Sequence, residues 1–245
     1  MTEKAGNPFS AILSRLGGLF KRSRDWILSR TGLEEFIRET EGRKVPKHAL
    51  NPVYCLGGVT FVALAILGIT GIFLSAHYEP SILRAQRSIQ IISNEIPFGF
   101  YVRSVHGWSA NIMVITILLH TLRVFITGSY KNPREFTWVS GVLLLVFTFT
   151  FIMTGYTLLW DERSYFAATS FAGLVDGLQS IPVIGGAFGW LTSWVTDTFI
   201  GLSVTGEGIL TRAYWMHVTV LPLVTLVFIL SHFYLIRTHG ISGPL

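Results

Sequence analysis

Charged residues are absent from four long apolar stretches of this chain, at about residues 51–76, 104–122, 136–160 and 213–236. Each is long enough to cross a bilayer as a helix, which takes roughly 20 apolar residues. Upstream, residues 8–44 mix apolar side chains such as Phe9, Leu13, Leu16, Phe20, Trp26 and Phe36 with basic and acidic ones. That pattern predicts one or two amphipathic helices, broken near Thr31 and Gly32, lying on a membrane surface. Two parts follow, an interfacial segment at 1–50 and a four-helix membrane domain at 51–245. The fold class is therefore all-α, a four-helix transmembrane bundle with an amphipathic N-terminal helix.

One further stretch leaves the topology open. Residues 177–196 carry no charge, yet Pro182, Gly185, Gly186 and Gly189 argue for short surface helices between the third and fourth spans. With four spans the second and fourth run in the same direction, whereas a fifth would invert the last. Pro222, inside the final stretch, is expected to bend it. The polar segment between the first two spans forms the first outer loop. His77, at its start, reads as an interfacial residue.

The second and fourth stretches each carry two histidines, His106 and His120 at 14 residues, His217 and His232 at 15. At about 100° per residue these intervals return to within roughly 40° and 60° of one face, and at about 1.5 Å rise they separate the rings by roughly 21 Å. An ionisable side chain in hydrocarbon is costly, so four of them at matched depths point to a ligand. If the two helices face each other, two bis-histidine sites form, one above the other. In the four-span topology His106 is level with His217, and His120 with His232; a fifth span swaps the partners.

The other two stretches repeat the interval in glycine. Gly57 and Gly71 are 14 apart in the first, Gly141 and Gly155 in the third. A glycine removes the side chain and lets a flat, wide group approach the helix backbone. Paired imidazoles between notched helices suit a low-spin electron-transfer haem at each level, so the four histidines are the candidate metal ligands.

Composition agrees with a membrane protein: half of the 245 residues are hydrophobic, 13% are charged and the mean hydropathy is +0.52. The formal charge of +5 reads as topology rather than nucleic-acid binding. Ten basic residues precede the first span and Arg123, Lys131, Arg134 and Arg237 lie on the same side, which leaves five of the 19 opposite. The positive-inside rule then places the N-terminus on the cytoplasmic, stromal or matrix side. No cleavable signal peptide is expected. Arg103 and Arg123 sit three residues from His106 and His120, within a helical turn of the proposed haems, where they can meet propionates. A single cysteine, Cys55, excludes an internal disulfide and a CxxCH motif.

From about Val45 to the last residue the chain resembles the cytochrome b6 family, the short, split cytochromes b of b6f-type quinol-oxidising complexes. The likeness rests on VYCLGG, RSVHGWSAN, GYTLLWD, SIPVIG, HGISGPL and the two histidine intervals. It implies two b haems, an outer one of lower potential on His106 and His217 and an inner one on His120 and His232, with surface helices roofing an outer quinol site. It further implies a third, c-type haem on a single thioether from Cys55, with Arg237 near its propionates. Arg103, Arg123, Arg134 and Arg237 match basic positions around the haems and the inner quinone site. Three features depart from the family: a longer N-terminal segment, an insertion around 186–207, and His48, offset by one residue from a family histidine.

The resemblance implies a subunit that is inactive alone and carries electrons inward from a quinol-oxidation site, contributing to proton translocation in an energy-transducing membrane, bacterial plasma membrane or thylakoid. Implied partners are a Rieske iron–sulfur protein, a separate chain with the remaining helices of a cytochrome b, a c-type cytochrome, quinone, lipid and a second copy of the complex. The alternative is a di-haem anchor of a dehydrogenase or hydrogenase. It shares the spans and histidines, but paired glycines with VYCLGG and HGISGPL are not expected of it. A haem-free structural or transport subunit is the other rival.

Overall fold

The structure, a computed structural model, describes residues 8–31, 51–179, 181, 189–190 and 207–240. Among these, α1 (Pro8–Thr31) belongs to one unit and the remainder to a second, and each is described by itself. Helix α1 is described as far as Thr31, and the break expected near Thr31 and Gly32 falls at the edge of the described residues. Leu19, Phe20 and Trp26 are exposed on it beside Arg15, Arg22 and Arg24.

The second unit contains four helices long and apolar enough to cross a membrane: α2 (Pro52–Ser75), α4 (Gly99–Ile126), α5 (Glu135–Thr157) and the continuous segment Gly208–His239. That last segment consists of α7 (Glu207–Trp215), a π-helical turn (Met216–Val220) and α8 (Leu221–His239). No strand occurs among the described residues. Helix α2 starts where Asn51 accepts the Val53 N–H and Pro52 occupies the first turn, a position that has no use for a donor.

Helix α4 runs five residues before and four beyond the uncharged stretch 104–122. Arg103 and Arg123 bound that stretch, but a long basic side chain can reach out of the bilayer without ending the helix. The Arg103 guanidinium donates to Ser93 Oγ at 3.2 Å on α3 (Ala85–Asn94). Gly99 starts the helix because a Cβ there would collide with the Ile92 carbonyl.

The helices pack most closely as two pairs, α2 with α4 and α5 with α8. Small and polar residues make this approach possible: Ala63, Thr70, Ser109, Ser140, Thr148 and Thr225 are buried, while Ile69 and Ile72 are more than 70% exposed on the outer face of α2. Thr60 bonds Thr116 across the first pair at 2.9 Å. The histidine-bearing helices α4 and α8 fall in different pairs and make no extensive backbone contact with each other.

Tyrosines tie the loop ends together. Tyr78 stacks on Tyr214 at 5.7 Å and donates to the Leu158 carbonyl at 2.7 Å, while Tyr214 donates to the Ser75 carbonyl at 3.2 Å. Burial, and then the neighbouring Tyr214, push the Tyr78 hydroxyl well above the ordinary tyrosine range, so it stays protonated. After α5, Asp161 caps α6 (Glu162–Gln179) by accepting the Ser164 N–H at 2.7 Å, and that bond lowers its carboxyl pKa. The surface-helix expectation for 177–196 is described only to Gln179, at Ile181 and at the helical pair Gly189–Trp190. The insertion at 186–207, His48 and the final residues 241–245 otherwise lie outside the described residues.

Candidate functional site: two facing histidine pairs

The histidines meet in the partnership that four spans require. His106 on α4 and His217 in the π turn have ring centroids 6.5 Å apart, with ring planes at 61°. His120 on α4 and His232 on α8 are neighbours at the other level. Two imidazoles sharing one first-row metal, with metal–nitrogen bonds of about 2 Å, place their centroids roughly 6 Å apart. The separation of the first pair is that of two rings with a metal's width between them.

Each histidine also sits in one of the glycine notches. A Cβ on Gly71 would lie 3.5 Å from His106 Cε1, and one on Gly57 3.1 Å from His120 Cε1. Across the other pair, a Cβ on Gly141 would lie 3.2 Å from His232 Cε1 and one on Gly155 only 2.7 Å from His217 Cε1. The sequence pattern predicts notches that admit a flat ligand to the backbone. What lies against each glycine is the imidazole of the paired helix, so the notch seats the ligand-bearing side chain.

Sequence reasoning missed what anchors the rings. Thr70 Oγ1 lies 2.8 Å from His106 Nδ1, Ser140 Oγ 2.8 Å from His232 Nδ1, and Thr154 Oγ1 3.0 Å from His217 Nδ1. In each case the hydroxyl proton is already committed to a carbonyl of its own helix: Thr70 to Ile66, Ser140 to Thr137, Thr154 to Thr150. The oxygen therefore accepts, Nδ1 carries the proton, and Nε2 keeps a lone pair for a metal. A signal existed, since each of these hydroxyl residues immediately precedes a notch glycine.

The π turn was missed as well, and it explains the unequal intervals. Leu221 N–H bonds the Met216 carbonyl, five residues back, so this turn contains one residue more than an α-turn. Pro222, which has no N–H to offer Val218, follows directly. The extra residue absorbs the difference between 15 and 14 and returns His217 and His232 to one face.

The remaining candidates lie at the ends of the bundle. Cys55 is half-buried in the first turns of α2, and Arg123 lies over the ring of its neighbour Tyr54 at 4.2 Å. Arg134 donates to the carbonyls of His239 and Gly240 at 3.4 Å, closing the C-terminus of α8, while Arg237 is half-buried in its last turn. His77 is not brought to either pair; its Nδ1 lies 3.0 Å from the Phe73 carbonyl in the last turn of α2.

Residues 41–240 match the family model for cytochrome b/b6/petB. The cytochrome b6 of Mastigocladus laminosus is 41% identical over 221 residues, covering 90% of this chain and 98% of the relative. Those of Euglena gracilis and Porphyra purpurea are 40% and 41% identical over the same length. Among solved structures, a chain of a hyperthermophilic respiratory complex III superposes with a TM-score of 0.78 at 31% identity. That match covers 90% of this chain and 56% of the complex III chain. The donor set fits what such a fold holds: four imidazoles in two facing pairs, three with Nδ1 bonded and Nε2 free.

Proposed function

Because this chain belongs to the cytochrome b/b6 family, we propose that it is the haem-carrying electron-transfer subunit of a b6f- or bc-type membrane complex that oxidises quinol. The observation that carries this reading is the 6.5 Å His106–His217 pair with Nδ1 of both rings held by hydroxyls. His106 and His217 hold one b haem, His120 and His232 the other. When bound, haem iron would supply reversible one-electron transfer.

The residues themselves do three things. The glycines let four imidazoles approach α2 and α5, the hydroxyls fix the tautomer that presents Nε2, and the apolar spans surround the path with low dielectric. Both α4 and the Gly208–His239 span carry ligands at two depths roughly 21 Å apart by helical rise, so the path crosses most of the hydrocarbon. In the complex, quinol is oxidised at the outer face, one electron goes to a Rieske iron–sulfur protein and the other moves inward, with protons released outside and taken up inside. A separate chain supplies the remaining helices of a cytochrome b, and the basic N-terminus faces the cytoplasm or stroma. Gentle purification tests the assignment: a Rieske protein co-purifies with this chain, whereas a dehydrogenase or hydrogenase catalytic subunit in its place refutes it.

Cys55 attaches a third, c-type haem by adding its thiol S–H across one vinyl group. This rests on the family likeness of VYCLGG and on the half-buried position of Cys55 beside Tyr54 and Arg123. Cys55→Ser removes the haem that survives acid-acetone extraction and leaves the extractable ones. A mutant that keeps the resistant haem sinks the covalent assignment.

A further inference from the structure

Three of the four imidazoles are anchored at Nδ1 and one is not. The anchoring hydroxyls belong to Thr70, Ser140 and Thr154, each one residue before a notch glycine. The residue before Gly57 is Leu56, half-buried and without a hydroxyl. Correspondingly, His120 Nδ1 is buried and has no hydrogen-bond partner among the described residues. The attitude of its ring does not differ: a Cβ at Gly57 would meet Cε1, Nδ1 and Nε2 of His120 in the same order as one at Gly155 would meet those of His217.

An acceptor on Nδ1–H makes the opposite nitrogen a stronger donor and favours the more positively charged, oxidised metal. His106 and His217 both have such an acceptor, whereas in the other pair only His232 does. We propose that position 56 sets the potential of the inner haem. Leucine there leaves His120 the weakest donor of the four, so the His120–His232 centre takes an electron more readily than the His106–His217 centre, and transfer runs inward. The inference rests on reading the pairs as haem sites, and assigns Leu56, Thr70, Ser140 and Thr154 as positioning residues for potential.

The test is a redox titration of the purified complex carrying Leu56→Thr, followed by optical difference spectra with a haemochrome count. The new hydroxyl can donate to the Pro52 carbonyl, four residues back as Ile66 is from Thr70, and accept from His120 Nδ1. The expected result is a fall of up to about tenfold in the one-electron reduction constant of the inner haem, about 59 mV, with the outer haem unmoved. An unchanged inner potential at full haem content overturns the proposal. If Leu56→Thr costs the inner haem, Ser140→Ala and Thr70→Val decide: they raise the inner and outer potentials respectively, and unmoved potentials overturn it. Wild-type complex without b haem would instead refute the haem reading itself.

Discussion

At the scale of single residues, the bundle is governed by how near a ring can come to a backbone. A Cβ at Gly155 would approach His217 Cε1 to 2.7 Å, inside any ordinary contact, while one at Gly71 would meet His106 at 3.5 Å. Gly155→Ala is therefore expected to lower stability by about 1–3 kcal/mol through overpacking and to reduce haem retention. Gly71→Ala should be close to neutral, and thermal melts of the two variants with Soret absorbance separate the cases. A second residue-scale prediction concerns Tyr78, whose burial holds its proton above the ordinary tyrosine range. Below about pH 10 both folded and unfolded forms are protonated. Above it the unfolded chain binds fewer protons, so stability falls as pH rises. Melting temperatures between about pH 9 and 11 should fall less steeply for Tyr78→Phe. An identical slope would count against the buried hydroxyl, whose loss at neutral pH should cost about 1 kcal/mol through the Leu158 bond.

At the scale of elements, the spans and the histidine and glycine intervals were legible because each follows from one strong term. Uncharged length reports the bilayer, and a 14-residue repeat in His or Gly reports a demand at two depths. The span ends were less legible, since Arg103 and Arg123 interrupt the apolar pattern without interrupting α4. The anchoring hydroxyls of Thr70, Ser140 and Thr154 were hidden because serine and threonine are frequent in membrane helices and usually bond only their own backbone, as Thr121 does to Ile117. The π turn left one trace, the fifteenth residue ahead of Pro222. Deleting Val220 should convert the turn to α-helix, keep His217 and His232 on one face, and preserve both haems. Inserting one alanine after Met113 should rotate His106 from His120 by about 100° and abolish one. Haem per chain in the two variants checks this; equal loss would show that the turn does not absorb a residue.

At the scale of the whole molecule, two tight helix pairs each carry two of the four histidines. α2 supports the histidines of α4, α5 supports those of the last span, and the two ligand helices are held apart. That division is what a metal-centred ring system between the pairs requires, and it makes the four imidazoles one structural unit rather than four buried polar residues. His106→Leu should remove one b haem and leave the His120–His232 site loaded, since each level has its own notches and anchors.

A pyridine haemochrome assay on the purified wild-type complex, before and after acid-acetone extraction and paired with a dithionite-minus-ferricyanide spectrum, tests the bis-histidine assignment most directly. Two extractable b haems per chain are expected, with one further haem retained if Cys55 carries it. A chain purified from its native membrane with no extractable haem would contradict the assignment of all four histidines.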